Sequence, residues 1–372
     1  MLGLVAALVG VCLLFWMQNW LYRKFWNKRL TIDIFFPISH AVEGDTVYLH
    51  EELRNEKILP LPMLKVKFTT AKELVFDEVE EGSVTDKYYR NDILSAMMYQ
   101  KVRRKLPIIC SHRGFYTVED IDMIGSDLFL SEFYVFHLEK NSSLIVYPRH
   151  LPLKQLQIPY QNIMGMVLSQ QRLYQDPFEF SGIREYQSYD SMKMVNWKAT
   201  AKTGNLQVNV KDHTANRSVR IILNLKSRFA YREKDMEEQC IRIAATLAEK
   251  LLTEGVQVEL ESNGCFSITK ENARVPLGAR KDYSRKIDET LALIDTNIEM
   301  CSVIELMKKK SQNKEAVCIL ISRESREELQ QTILQKQKEG ENCYWIMPRY
   351  EEEEIPIKKE LLPYFSTYDM ER

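Results

Sequence analysis

The sequence predicts an α+β multidomain chain: an N-terminal transmembrane helix, a β-sandwich domain, then an α/β domain. Three observations carry this expectation. The first twenty residues hold no charged side chain, residues 31–150 break into short alternating runs between turn signals, and from residue 218 compact β-branched runs alternate with segments of helical period. The bounds that follow are 1–22 for the anchor, 31–150 for the sandwich, 151–217 for a segment built around a Trp197 helix, 218–350 for the α/β domain and 351–372 for a C-terminal tail. A chain of 372 residues has room for two ordinary domains and an anchor.

The anchor comes first. MLGLVAALVGVCLLFWMQNW, Met1 to Trp20, is uncharged, and as a helix it reaches roughly 28–30 Å, about the hydrocarbon thickness of a bilayer. Trp16, Trp20, Tyr22 and Trp26 gather at its end, where amphipathic rings favour the interface, and Arg23, Lys24, Lys28 and Arg29 follow. The positive-inside rule then expects a single-pass protein of the cell membrane, held in the bilayer through residues 1–22, with its soluble domains facing the cytoplasm. A cleaved secretory signal would need a basic stretch before the apolar core and a small-residue site after it, and neither is present. The seven scattered cysteines, with no C-x-x-C pair, read as core thiols in a reducing compartment.

Residues 31–150 carry the runs TIDIFF, TVYLHEEL, MLKVKFTT, KLPIICSHRGFYTV and SSLIVYP. Glu43-Gly44-Asp45, Leu59-Pro60-Leu61-Pro62, Glu81-Gly82-Ser83 and Arg113-Gly114 punctuate them, as in a small sandwich. In MLKVKF, alternation sends Leu64, Val66 and Phe68 to the core and Lys65 and Lys67 to water. The basic cluster Lys101, Arg103, Arg104 and Lys105 reads as a solvated strand edge. Beyond residue 218 the expected order is strand SVRIILNL, helix DMEEQCIRIAATLAEKLLTEG, strands VQVEL and CFSI, helices YSRKIDETLALID and EMCSVIELMKKK, strand AVCILIS, helix SREELQQTILQKQ and strand NCYWIM. Buried strands alternating with helices imply a mostly parallel sheet covered on both faces.

Composition excludes more than it suggests. Basic and acidic residues number 51 and 52, so no global field draws the chain to nucleic acid, and no nucleic-acid partner is expected. There is no G-x-x-x-x-G-K-[ST] loop, no H-E-x-x-H helix and no G-x-S-x-G elbow, and the six histidines lie far apart. Ligands of open parallel sheets bind at the carboxyl ends of the strands. After RIIL the chain offers Asn224, Lys226 and Arg228, where two fixed cations repel a metal that would want carboxylate and hydroxyl oxygens. No metal, no cofactor and no catalytic residue is therefore expected.

The stretch GIREYQSYDSMKMVNWKATAKTG, Gly182 to Gly204, stands apart. Asp190 or Ser191 can cap a helix that Gly204 ends in the left-handed region. Met194, Trp197 and Ala201 would share one face and Lys198 and Lys202 a neighbouring one. Arg184, Tyr186 and Asp190 would sit in a loop leading into that helix. On a functional reading Arg184, Lys193, Lys198 and Lys202 form a docking surface for acidic groups, with Trp197 as aromatic anchor. The plainer reading, which the chemistry of a large aromatic favours, buries Trp197 and leaves the lysines to solvate the helix.

These residues carry a resemblance. Gly182, Arg184, Tyr186, Asp190, Trp197, Lys198, Ala199, Thr200, Ala201, Thr203, Gly204 and Leu206 match the pattern G-x-R-x-Y-x-x-G-D followed by W-K-A-[ST]-A-R-T-G-x-L. That pattern is the signature of the bacterial family called domain of unknown function 58. The anchored start, EGDTVYLHEELRNEKILPLPMLKV, DLF at Asp127 to Phe129 and LIVYPR at Leu144 to Arg149 also resemble the family's N-terminal half. The resemblance implies that residues 218–350 form a von Willebrand factor type A-like domain, here with a degenerate metal site: D-x-S-x-S is replaced by Asn224, Lys226 and Arg228. Tyr189 stands where the family has glycine, and Lys193 and Lys202 where it has arginine, which loses the planar fork for bidentate contacts.

Family members are often encoded beside a MoxR-type AAA+ ATPase and sometimes a transglutaminase-like membrane protein. The resemblance therefore implies a membrane-anchored, non-enzymatic adaptor acting with such an ATPase, in cell-envelope assembly or stress response. Its expected partner-binding residues are Gly182, Arg184, Tyr186, Asp190, Lys193, Trp197, Lys198, Lys202 and Gly204. Two alternatives belong to other classes: an enzyme whose site assembles around the Arg184–Asp190 loop, and a metal-dependent adhesion-type binding module.

Overall fold

The computed structural model describes residues 2–76, 82–84, 87–139, 142–173, 180–188, 190–211, 217–226, 234–267, 269–280, 282–298, 300–309, 316–351, 353 and 355–370. The chain divides into two compact units, Met1–Arg149 and His150–Arg372.

In the first unit, helix α1 (Leu2–Phe25) is long and apolar enough to cross a membrane. The described strands that follow are β1 (Leu30–Phe35), β2 (His40–Val42), β3 (Thr46–Asn55), β4 (Leu61–Ala71), β5 (Leu74–Phe76), β6 (Gly82–Val84), β7 (Lys87–Ala96), β8 (Lys101–Cys110), β9 (Gly114–Ser126), β10 (Phe133–Leu138) and β11 (Ser142–Tyr147). They form one sheet in the order β1-β3-β8-β5 and a second in the order β2-β11-β9-β4-β7-β6, with β10 on the side of β9. Leu49, Leu53 and Ile108 from the first sheet and Val66, Phe68 and Val118 from the second share one core, as a sandwich requires. Along β4, Leu64, Val66 and Phe68 are buried while Lys67 is exposed, the alternation expected of MLKVKF. Tyr22 and Trp26 of the helix end enter the same core, and a Cβ at Gly125 would collide with the Trp26 ring.

The basic cluster on β8 is not simply solvated. Arg104 reaches Asp92 at 3.3 Å, and Arg90 reaches the other oxygen of Asp92 at 2.7 Å, with Arg90 and Asp92 both buried. Glu51, opposite Arg104 on β3, is also buried, and neither of its carboxylate oxygens has a hydrogen-bond partner among the described residues. Burial, with Asp92 alongside, pushes the Glu51 carboxyl up to about 7 against the pull of Arg104 and Arg90. Lys101 and Arg103 instead pair with Glu52 at 2.7 and 2.8 Å.

The second unit contains α2 (Gln157–Leu173), β12 (Phe180–Glu185), α3 (Trp197–Thr203), β13 (Gln207–Lys211), β14 (Ser218–Asn224), α4 (Lys234–Thr253), β15 (Gln257–Phe266), β16 (Asn272–Gly278), α5 (Tyr283–Ala292), β17 (Ile294–Asp295), α6 (Val303–Lys308), β18 (Val317–Ser322), α7 (Glu327–Lys338), β19 (Cys343–Tyr350) and β20 (Phe365–Met370). Its main sheet runs β16-β15-β14-β18-β19-β20. Along this order all neighbours are parallel except the edge strand β16, and β17 also pairs antiparallel with β15. Side chains of α2, α4 and α5 pack with Val219, Ile221 and Leu223 of β14, and those of α6 and α7 with Ile222, so both faces are covered. The strand order reverses between β14 and β18, which makes their carboxyl ends a topological switch point.

Several expectations need correction. QVEL of the first run and CF of the second belong to one strand, Gln257–Phe266, because Glu261, Ser262, Asn263 and Gly264 between them are themselves buried in the sheet; Ile268 lies outside the described residues. Helix α2 and strand β16 were not anticipated. Residues 365–370 are not a free tail: β20 pairs with β19 from Trp345–Phe365 to Tyr350–Met370. Its sequence, FSTYDM, carries little apolar signal; what makes it a strand is an edge to pair with. Arg220, within the apolar run SVRIILN, is buried and bonded to Glu261, and it donates to the carbonyls of Leu306 at 3.0 Å and Lys309 at 2.7 Å.

Candidate functional site

The expected site segment is a two-stranded hairpin with a short helix laid across its connection. β12 and β13 pair antiparallel, with Arg184 opposite Val208 and a bulge between Phe180 and Gly182. Arg184 therefore stands on a strand, not in a loop. Its guanidinium forms a bidentate pair with Asp190 at 2.6 and 2.7 Å. The backbone N–H of Gln187 donates to the same carboxylate at 2.9 Å. Arg184, then Gln187, hold the Asp190 carboxyl below its usual range. This pair engages the Arg184 guanidinium within the hairpin segment, while the side chain stays partly exposed.

Two expectations about the helix fail. It starts at Trp197, not near Ser191, because Ser191 caps a separate 3-10 turn at Met192–Met194 and Val195 and Asn196 are extended. Asn196 is the helix cap: its Oδ1 accepts from the Ala199 N–H at 3.0 Å and its Nδ2 donates to Asn209 on β13 at 2.7 Å. Thr200 Oγ1 accepts from the Gln207 N–H at 3.0 Å. The helix is thus held to the hairpin by polar bonds along its Asn196–Thr200 side. Trp197 falls on another side and is 64% exposed, so the burial favoured by its size does not occur. Met194, on the far side of the extended residues Val195 and Asn196, does not share a helical face with it.

Gly204 takes the expected left-handed conformation at φ 77° and ends the helix, its N–H donating to the Thr200 carbonyl. Lys193, Lys198 and Lys202 are exposed, and among the described residues none of the three forms an ion pair. Tyr186 is half-buried, with its N–H on the Leu206 carbonyl at 2.9 Å. Around a Cβ at Gly182 there is open space, so nothing in the local packing demands glycine there. Tyr189 lies outside the described residues.

At the switch point the structure places a polar network that sequence reasoning only touched. Asn224 ends β14 and is buried. Its Nδ2 donates to Ser322 at 2.8 Å and Glu324 at 3.0 Å, and its Oδ1 accepts from Asn263 at 2.7 Å and the Lys226 N–H at 3.1 Å. Asn263 in turn accepts from the Leu225 N–H at 2.8 Å, and Glu324 pairs with Arg326. Every hydrogen-bonding position of the Asn224 amide is used by the protein. The carboxylate nearest to it, Glu324, is engaged as well. A small pocket, with room for about one water, opens beside these residues, lined by Asn224, Lys226, Met236, Glu237, Cys240 and Arg323. Arg228 lies outside the described residues. Ser322, Glu324 and Asn263 carry no local signal, since the first two come from the end of β18 and the third from β15, far from Asn224 in sequence.

The family profile described as "Protein of unknown function DUF58" matches residues 182–340. Over these residues the chain is a DUF58 protein. The match begins at Gly182 on the Trp197 hairpin and runs through β14, α4 and β18 to Gly340, just past α7. No curated protein matches the chain. Among solved structures, a non-cellulosomal cohesin from Archaeoglobus fulgidus is similar at 9% identity over 35% of this chain and 97% of its own, with a TM-score of 0.22. An Escherichia coli alpha-2-macroglobulin spanning domain MG7 to the C-terminus is similar at 16% identity over 34% of this chain and 21% of its own, with a TM-score of 0.24. Neither likeness carries an argument about fold or function at such scores.

Proposed function

We propose that this protein is a membrane-anchored, non-enzymatic adaptor that docks an acidic partner on the Trp197 segment and acts with a MoxR-type AAA+ ATPase. The observation that carries the reading is the 64% exposure of Trp197 on a helix held by polar bonds, with Lys193, Lys198 and Lys202 exposed on the same segment. An exposed tryptophan among cations suits a partner that offers an apolar pocket rimmed by carboxylates. The orientation follows from the basic flank after α1, which favours soluble units on the cytoplasmic side. We read the main sheet of the second unit as a von Willebrand factor type A-like domain whose strand-end amide, Asn224, braces the fold in place of binding an ion. Cell-envelope assembly or stress response remains the setting that the family resemblance implies, with a transglutaminase-like membrane protein as a further candidate partner.

Affinity capture of the tagged full-length protein from its own membranes, with and without ATP, tests this reading. Recovery of an AAA+ ATPase, weakened at least tenfold by K198E with K202E while the fold is retained, is the expected result. Recovery that is indifferent to both substitutions and to Trp197→Ala overturns the docking surface.

A further inference from the structure

We propose that the Leu128–Leu130 turn and the outward side of β10 are seated in the lipid bilayer beside α1, so that the first unit grips the membrane through two elements. The proposal rests on α1 being a membrane anchor and on nothing about the partner.

The exposed large apolar side chains of the helix run to Met17, with Trp20 beyond them, whereas Tyr22 is buried in the sandwich core and Gln18 donates to Asp127 at 2.8 Å. The lipid-accessible side of the helix thus reaches at least Met17, and whatever packs beside its last turns shares their depth. The 127–131 turn is what stands there. The ring of Phe129 lies 5.6 Å from that of Phe15, and Phe15 precedes Tyr22 by about 10 Å of helix.

The chemistry of that turn fits lipid. Leu128, Phe129, Leu130, Phe133 and Val135 are each about half exposed or more, large apolar groups close together in sequence that present a patch to their surroundings. Several of the turn's polar groups are satisfied within the unit, although Ser131 and Glu132 themselves are exposed. The Asp127 carboxylate accepts from the Ser131 N–H at 2.6 Å and the Glu132 N–H at 3.2 Å as well as from Gln18, and the Leu130 N–H bonds the Asp127 carbonyl at 3.2 Å. Self-satisfied backbone is what a segment at membrane depth requires. Farther along β10 the polar pair His137–Asp122 takes over, and the Lys65 ammonium lies 5.9 Å over the Phe133 ring, a cation suited to a headgroup layer. Continuity with α1 and this apolar-to-charged order favour a bilayer over a protein as the occupant.

The test uses the full-length protein in liposomes with bromine-bearing acyl chains. Single labelling sites are introduced by Leu8→Cys, Phe129→Cys, Val135→Cys and Val75→Cys in a Cys12→Ser background, whose own labelling sets the baseline. Val75 is an exposed position on β5, which pairs with the end of β8 remote from Lys101. Loss of most bimane fluorescence at Leu8, Phe129 and Val135, with none at Val75, is the expected result. Quenching at Leu8 with Phe129 and Val135 at the Val75 level overturns the proposal. So does protection of Phe129 from both lipid bromine and a water-soluble quencher, which would assign the turn to a second copy or another protein. Failure to quench at Leu8 removes the anchor and the proposal together, leaving the Trp197 surface untouched.

Discussion

The Trp197 hairpin and the strand ends at Asn224 are both polar constructions, yet they spend their polar groups in opposite ways. At the strand ends the amide of Asn224 is consumed internally by the buried Ser322, Glu324 and Asn263 and by the Lys226 backbone N–H. On the hairpin, Asn196, Thr200 and the Arg184–Asp190 pair fasten a seven-residue helix that buries none of its own residues. The first arrangement closes a fold. The second stiffens a platform and leaves an aromatic side chain and three lysines outside. Polar residues are therefore a poor guide to function until it is known which way their bonds point.

The sharpest way to break the inward arrangement is at Arg220, in the same strand as Asn224. Arg220→Met leaves two carbonyls at the end of α6 without their buried donor and leaves Glu261 with Arg274 alone. A loss of about 3–5 kcal/mol in urea unfolding of the second unit is expected; a loss below about 1 kcal/mol would show that the pair is not desolvated.

Glu51 offers a similar test in the first unit, with a sign fixed by pH. Its folded pKa of about 7 lies above the ordinary 4.5, so folding favours the protonated form. The stability this supplies is complete below pH 4.5 and is lost as pH rises through 7, about 3 kcal/mol in all. Glu51→Gln should therefore raise the thermal midpoint at pH 8 and flatten its dependence between pH 5 and 8. A melting curve with unchanged pH dependence would place the charge elsewhere.

On the hairpin the effects are smaller. Removing the helix cap with Asn196→Ala should cost about 1 kcal/mol, seen as faster hydrogen exchange at the Ala199 amide and not as global unfolding. Trp197→Ala should change stability by less than about 0.5 kcal/mol while abolishing partner capture. If it costs about 3–5 kcal/mol instead, as buried aromatics do, the side chain is part of a core and the comparison collapses.

Much of the site was legible in local chemistry. The left-handed Gly204, a short helix ending there and the importance of Asp190 all follow from residue types and spacing. What was misread is instructive. Met194, Trp197 and Ala201 have a helical spacing, but spacing assumes an unbroken helix, and Val195 and Asn196 are extended because Val195 bridges to Val208 and the Asn196 N–H bonds the Gln207 carbonyl. Those partners lie more than ten residues away. Likewise Arg104 looked like an edge cation until a strand of the opposite sheet supplied Asp92.

By itself the sequence determined what depends on the chain's own period and composition: an uncharged helix with a basic flank, alternating strands around one core, an amphipathic α4 that buries its stripe, and the family signature beginning at Gly182. These follow because neighbours along the chain set both hydrophobic periodicity and end signals. Only the tertiary structure decided that FSTYDM is a strand, that Arg220 is buried, that Arg184 is taken by Asp190 and that Trp197 faces solvent. Each of those depends on which distant group arrives alongside, and a buried or presented side chain differs only in whether such a partner exists.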